Sequence, residues 1–204
     1  MKSPKKIQVK TTMNIAKLKN HISKKIDTEI DPSMFYHGLH HTLYVLKVCN
    51  QYIRRLKIDK ENAYLLRTAA LLHDIGILWT YGDHEEKGKS YIIEELPKWG
   101  YTKPQIDKVC ELVMATQLPQ EPKNLLEEII CDADLDYLGT SLFYEVGDTL
   151  FHEFKYQGIV KDKKDFDDLQ IRFLTNHHYH TEYGKRYREP QKRQYLAELI
   201  KNKK

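Results

Sequence analysis

Apolar residues recur every three or four positions along nearly the whole chain, and no strand-like alternation persists anywhere. That period gives each segment one buried stripe on a helix and leaves nothing from which to build a sheet. Ile15, Leu18, Ile22, Ile26 and Ile30 open the series, and Asp31-Pro32 breaks it. Further helices are predicted from about Met34 to Leu56, Lys60 to His73, Asp83 to near Pro97, and Pro104 to Thr116. Others run from Lys123 to Leu138, Ser141 to about Tyr156, Lys164 to about His177, and Glu189 to Lys203. Glycine and proline fall between these segments, as boundaries should. Asp83 and Glu86, three apart, have the spacing of a capping box. The expectation is an all-α chain, with a flexible basic N-terminus over 1–12 and a single helical domain over 13–204.

Composition excludes several classes. A hydrophobic content of 41% with 30% charged residues fits a soluble globular protein. No run approaches the eighteen apolar residues of a membrane span, and the basic N-terminus lacks the apolar core of a secretory signal. Cys49, Cys110 and Cys131 are far apart among apolar neighbours, so they read as small buried hydrophobes in a reducing, cytoplasmic compartment. The net charge of +4 is unevenly spread: residues 1–25 hold eight lysines and no acid, and residues 185–204 hold eight basic residues against two acids. Such ends can attract phosphates or nucleic acid. Without a recognised motif or interleaved aromatics they read as solvated termini.

The chemistry gathers around His73-Asp74, which ends the apolar run Ala69-Ala70-Leu71-Leu72. Both side chains are metal ligands, and neither is easily buried otherwise. On a helical wheel of the segment before it, His40, Lys47, Gln51 and Arg54 share a polar arc. His37, His41, Val45, Val48 and Tyr52 share an apolar one, so His37 and His41 point together into the protein, one turn apart. In the helix from Lys123, Leu126, Ile129, Ile130, Ala133 and Tyr137 form the core stripe. Cys131 and Leu138 extend it on one side, and Asp134 falls inside this extended apolar arc, while Asp132 and Asp136 fall on the opposite, polar side with Glu128. An aspartate among apolar neighbours is paired, hydrogen-bonded or bound to metal. Asp134 is therefore the ligand candidate, with a buried arginine pair as the alternative, and Asp132 a possible support behind it.

His41…His73-Asp74…Asp134 resembles the H…HD…D signature of the HD-domain metal-dependent phosphohydrolases. Tyr-His-Gly-Leu-His-His-Thr at 36–42, Leu-Leu-His-Asp-Ile-Gly at 71–76 and Asp-Ala-Asp-Leu-Asp at 132–136 match in type, order and approximate spacing, over about half the chain. The resemblance implies an all-helical HD bundle with a central site for a divalent metal (Mn, Fe, Co, Ni, Zn or Mg), held by His41, His73, Asp74 and Asp134. One or two ions remain open. His84 resembles the histidine that ligates a second metal; it can equally face a substrate phosphate or be an exposed first-turn residue. Two-metal relatives often carry a histidine where this chain has Thr116-Gln117. His37 resembles the proton donor in the Tyr-His-x-x-x-His pattern of cyclic-nucleotide phosphodiesterases, although Gly38 replaces their usual asparagine.

The resulting expectation is hydrolysis of a phosphomonoester or phosphodiester in a small molecule, most naturally a nucleotide. His37, Asp74 and His84 are the catalytic candidates: Asp74 ligates and orients water, and His37 or His84 protonates the leaving alkoxide. Lys185, Arg186 and Arg188 are candidates for holding phosphate. His177, His178 and His180 read as a polar helix end, with no carboxylate or cysteine at ligand spacing. The alternative function is a non-catalytic module that binds a nucleotide or metal and signals through a partner.

Overall fold

The computed structural model describes residues 14–203; the basic segment 1–12 lies outside them. Among the described residues there are ten α-helices and no strand. They are α1 (Ile15–Glu29), α2 (Leu39–Arg55), α3 (Lys60–Leu72), α4 (His84–Glu95), α5 (Lys103–Met114), α6 (Leu125–Asp134), α7 (Phe143–Tyr156), α8 (Lys163–Asn176), α9 (Glu182–Tyr187) and α10 (Glu189–Asn202). Short 3-10 turns at Ile75–Leu78, Leu96–Trp99 and Asp136–Gly139 follow α3, α4 and α6. No helix among the described residues is long and apolar enough to cross a membrane. All three cysteines are buried and free.

The helices start where side chains can take up orphan N–H groups. Asn14 accepts from Lys17, Asp59 from Glu61 and Asn62, Asn124 from Leu126 and Glu127, and Asp162 from Asp165. The capping box lies at Thr102 and Gln105, not at Asp83. Asp83 takes the left-handed conformation (φ 52°, ψ 35°) and its side chain caps nothing. A turn that must reverse through Gly82 into α4 puts Asp83 in the one strained region an aspartate tolerates.

Two cores divide the bundle. In the larger, α2 packs on α3 and α6, and α3 packs on α1 and α5. Val45, Val48, Cys49 and Tyr52 of α2 meet Leu66, Ala69, Ala70 and Leu72 of α3 and Ile129, Ile130 and Ala133 of α6. The small residues Ala69 and Ala70 suit the close approach of neighbouring helices. The second core gathers Tyr36, Leu135, Tyr137, Leu138, Phe143, Leu174, Tyr179 and Leu199. Phe143 stacks on Tyr195 at 4.5 Å between ring centres.

One contact sets the position of α4. A Cβ on Gly76 would lie 1.8 Å from the His84 carbonyl oxygen and 2.7 Å from the Gly88 amide nitrogen. The 75–78 turn and the first turn of α4 thus touch backbone to backbone, which brings His84 beside Asp74. Gly76→Ala cannot be relieved by a rotamer change and must push the two segments apart. It is expected to cost about 1–3 kcal/mol or more, read as a lower midpoint in urea, and an unchanged midpoint would refute the contact.

Candidate metal centre

α2, α3 and α6 bring four side chains to one point. His41 projects from the first turn of α2, His73 follows the last residue of α3, Asp74 stands next to it, and Asp134 ends α6. The wheel on α2 is reproduced: His41 is buried with Val45, Val48 and Tyr52, while His40 is exposed. His41, His73 and Asp134 each offer a ligand atom within 4.8 Å of the others. His41 Nε2 lies 3.0 Å from Asp134 Oδ1, 3.2 Å from His73 Nε2 and 3.4 Å from Asp74 Oδ2. His73 Nε2 lies 3.0 Å from Asp74 Oδ2 and 3.5 Å from Asp134 Oδ1. Ligands bonded at about 2.1 Å to one ion stand about 3.0 Å apart at a right angle and about 3.4 Å apart at the tetrahedral angle.

The donor chemistry also fits a cation. His73 Nδ1 donates to the Ala70 carbonyl oxygen at 3.1 Å, which in the neutral ring leaves a lone pair on Nε2. That lone pair faces carboxylate oxygens, and the buried Asp74 Oδ2 has no hydrogen-bond partner. Such a group costs free energy unless a positive charge stands among the acceptors. Without a metal the proton fills that place. Burial opposes the charge on His73, but Asp74 and Asp134 hold its pKa well above the usual 6.5. Burial likewise opposes ionisation of Asp74 and Asp134, and the histidines hold both below the ordinary carboxylate value.

The rim holds the other two histidines. His84 Nε2 lies 3.4 Å from Asp74 Oδ1 and 3.4 Å from Glu85 Oε1, and Nδ1 donates to the Tyr81 carbonyl oxygen at 3.2 Å. Burial works against its charge, yet the bond to Asp74 raises it to about 9. His37 is not on the helix that the sequence predicted. α2 begins only at Leu39, because the Glu153 carboxylate captures the Tyr36 and His37 amides at 2.8 and 3.1 Å. The ring still reaches the rim, with its centre 6.3 Å from His41 and 5.6 Å from His84. Glu153, fully buried on α7, was missed. It shares a stripe with Val146 and Leu150, so the arc argument that singled out Asp134 would have found it.

Asp132 and Asp136 correct the wheel on α6. Both are buried rather than on a polar face, because the C-terminal third covers that side. Asp132 accepts from the His180 amide at 2.7 Å and from the Thr181 amide and hydroxyl at 2.9 and 2.6 Å. Asp136 lies past the end of α6 and pairs with Arg188 Nε at 2.6 Å and the Tyr44 hydroxyl at 2.7 Å. The buried arginine pair considered for Asp134 thus belongs to Asp136. Of the phosphate candidates, Arg188 is engaged there, Lys185 pairs with Glu182 at 3.2 Å, and Arg186 lies over the Tyr187 ring. His177 is the cap residue at the end of α8, while His178 and His180 lie beyond the helix in the segment leading to α9.

Residues 38–136 match the HD domain family. An HD domain therefore occupies these residues of the chain. The HD match runs from the cap of α2 to Asp136 and takes in His41, His73, Asp74 and Asp134; His37 and Glu153 lie outside it. Among solved structures, a predicted HD superfamily hydrolase from an uncultured Thermotogales bacterium is 22% identical, with a TM-score of 0.58 over 92% of this chain and 89% of that one. Bacillus subtilis YpgQ, in complex with ADP, is 17% identical, with a TM-score of 0.61 over 93% and 97%. At these identities the likeness is one of fold. No curated protein sequence matches the chain.

Burial outweighs the three donors on Asp132 and pushes its pKa up to about 6 from 3.8. The folded state therefore favours the protonated acid: this contribution to stability is full below about 3.8 and is lost as pH rises through about 6. Unfolding in urea from pH 4 to 7 is expected to show that slope in the wild type and not in Asp132→Asn. Parallel curves would mean that the donors keep Asp132 ionised throughout.

Proposed function

We propose that this HD protein is a metal-dependent phosphohydrolase that cleaves a phosphomonoester or phosphodiester, with a nucleotide as substrate. The observation that carries the reading is the convergence of His41, His73, Asp74 and Asp134 around a buried, unpartnered carboxylate oxygen. Two imidazoles and two carboxylates suit Mn, Fe, Co, Ni or Zn. A divalent ion there would supply Lewis acidity toward a phosphoryl oxygen and lower the pKa of water. The ADP held by the structurally similar Bacillus protein supports the choice of a nucleotide.

The chain's own groups divide the remaining work. Asp74 reaches two ways, with Oδ2 toward His41 and His73 and Oδ1 toward His84, so it can ligate and also orient a water. His84, raised to about 9, brings a positive charge to the rim where a phosphate would lie. His37 stands across from it, partly open to solvent.

Phosphate release from a nucleotide panel with Mn²⁺, and its loss on adding EDTA, tests the proposal directly. His41→Ala is expected to lower activity and Mn²⁺ affinity by more than about 100-fold, exceeding the loss of an outer partner of a ligand. His40→Ala, on the exposed side of the same turn, is expected to leave both within about two-fold. Equal losses from the two variants, or neither phosphate release from a nucleotide monoester nor monoester release from a nucleotide diester, would refute the assignment.

A further inference from the structure

Glu153 receives more donors than packing α7 requires. Its carboxylate has no exposed surface, yet it takes the Tyr36 amide at 2.8 Å, the His37 amide at 3.1 Å, the Tyr81 hydroxyl at 3.0 Å and the His37 Nδ1–H. The two amides would suffice to anchor the chain before α2. The other two donors are side chains on the rim of the His/Asp cluster. They come from different segments, one leading into α2 and the other into α4. Burial alone would favour a protonated carboxyl, and the bond from His37, foremost among the favourable contacts, holds Glu153 below its ordinary value.

The consequence falls on the His37 ring. With Nδ1–H tied to Glu153, the ring has one orientation, and Nε2 makes no hydrogen bond among the described residues. His84 differs: both its nitrogens face protein oxygens, those of Asp74 and Glu85 on one side and of Tyr81 on the other. Only His37 offers the rim a ring nitrogen that is oriented and not already engaged. Resting on the phosphohydrolase reading of the cluster, we propose that Glu153 is a positioning residue that, through His37, delivers the proton to the leaving oxygen. As the P–O bond to the leaving group breaks, the proton on Nε2 passes to that oxygen. The neutral ring left behind keeps its Nδ1–H on Glu153. This is the logic by which a buried carboxylate fixes the working face of a histidine in other hydrolases.

Glu153→Gln tests the proposal while keeping the shape of the side chain. In ¹⁵N-histidine NMR of the protein without added metal, the wild-type His37 Nδ1–H is expected as a strongly hydrogen-bonded signal that Glu153→Gln shifts or loses. Kinetics with Mn²⁺ on phenyl phosphate and p-nitrophenyl phosphate give the second readout, since nitrophenolate leaves without a proton. Glu153→Gln is expected to lower kcat on phenyl phosphate by about 10–100-fold, with KM unchanged, and on p-nitrophenyl phosphate by less than about 3-fold. His37→Ala should lose about 10²–10⁴-fold on phenyl phosphate, and the double variant should be no worse than His37→Ala alone. An unchanged Nδ1–H signal, equal losses on both esters, or losses that add to those of His37→Ala would each overturn the proposal. If the wild type hydrolyses no phosphomonoester, phosphodiester or nucleotide, the phosphohydrolase reading falls and takes this proposal with it. If it turns over both esters but the losses are equal, only the role of Glu153 falls.

Discussion

Four lone pairs at the centre of the larger core need a positive charge among them. His41, His73, Asp74 and Asp134 reach that point from α2, the end of α3 and the end of α6, and the two histidine Nε2 atoms lie 3.0–3.5 Å from one another and from both carboxylates. An apolar core could not tolerate this gathering of acceptors by itself. A proton on His73 or a metal ion makes it acceptable, so the occupant of the site and the packing of three helices depend on the same electrostatics. The apolar faces of α2, α3 and α6 converge on the cluster, and His41 and His73 are buried among them. There, each charge interaction is stronger than it would be at the surface.

The rim is built differently from the centre. His84 is placed by backbone contact, since Gly76 and Gly88 let α4 press against the turn after Asp74. His37 is placed by a side chain from a distant helix, since Glu153 on α7 holds both its backbone and its ring. The two rim histidines thus answer to independent structural causes. A change at the α4 crossing reaches His84 first, and a change on α7 reaches His37 first.

Much of this was legible in the sequence, and the gaps have a common physical origin. The period of apolar residues gave nine of the helices, missing only the six-residue α9, which is too short to show a period. The arc argument separated His41 from His40 and picked out Asp134. It failed for Asp132 and Asp136 because a wheel reports a helix's own faces and not what later covers them. For Asp132 the cover is the segment at His180–Thr181, some fifty residues on; Asp136 also lies beyond the helix, where the wheel no longer applies. His37 was given to a helix because its spacing to His41 is helical. The competing claim of Glu153 on its backbone comes from more than a hundred residues away. The Asp83 box failed for a local reason, a left-handed turn that spacing alone does not reveal.

The acids behind Asp134 bear on how portable the signature is. The HD match ends at Asp136, yet Asp132 and Asp136 find their donors at His180, Thr181 and Arg188, beyond that limit. Gly184 lies so close that a Cβ there would stand 2.4 Å from Asp132 Oδ2. A graft of residues 38–136 into another scaffold would carry all four cluster residues. It would also carry two carboxylates next to the turn that presents Asp134, with Asp132 stripped of the His180 and Thr181 donors and Asp136 of Arg188. The recognisable motif is therefore smaller than the smallest piece of chain able to hold its geometry, and any transplant has to include the strap that closes over the back of α6.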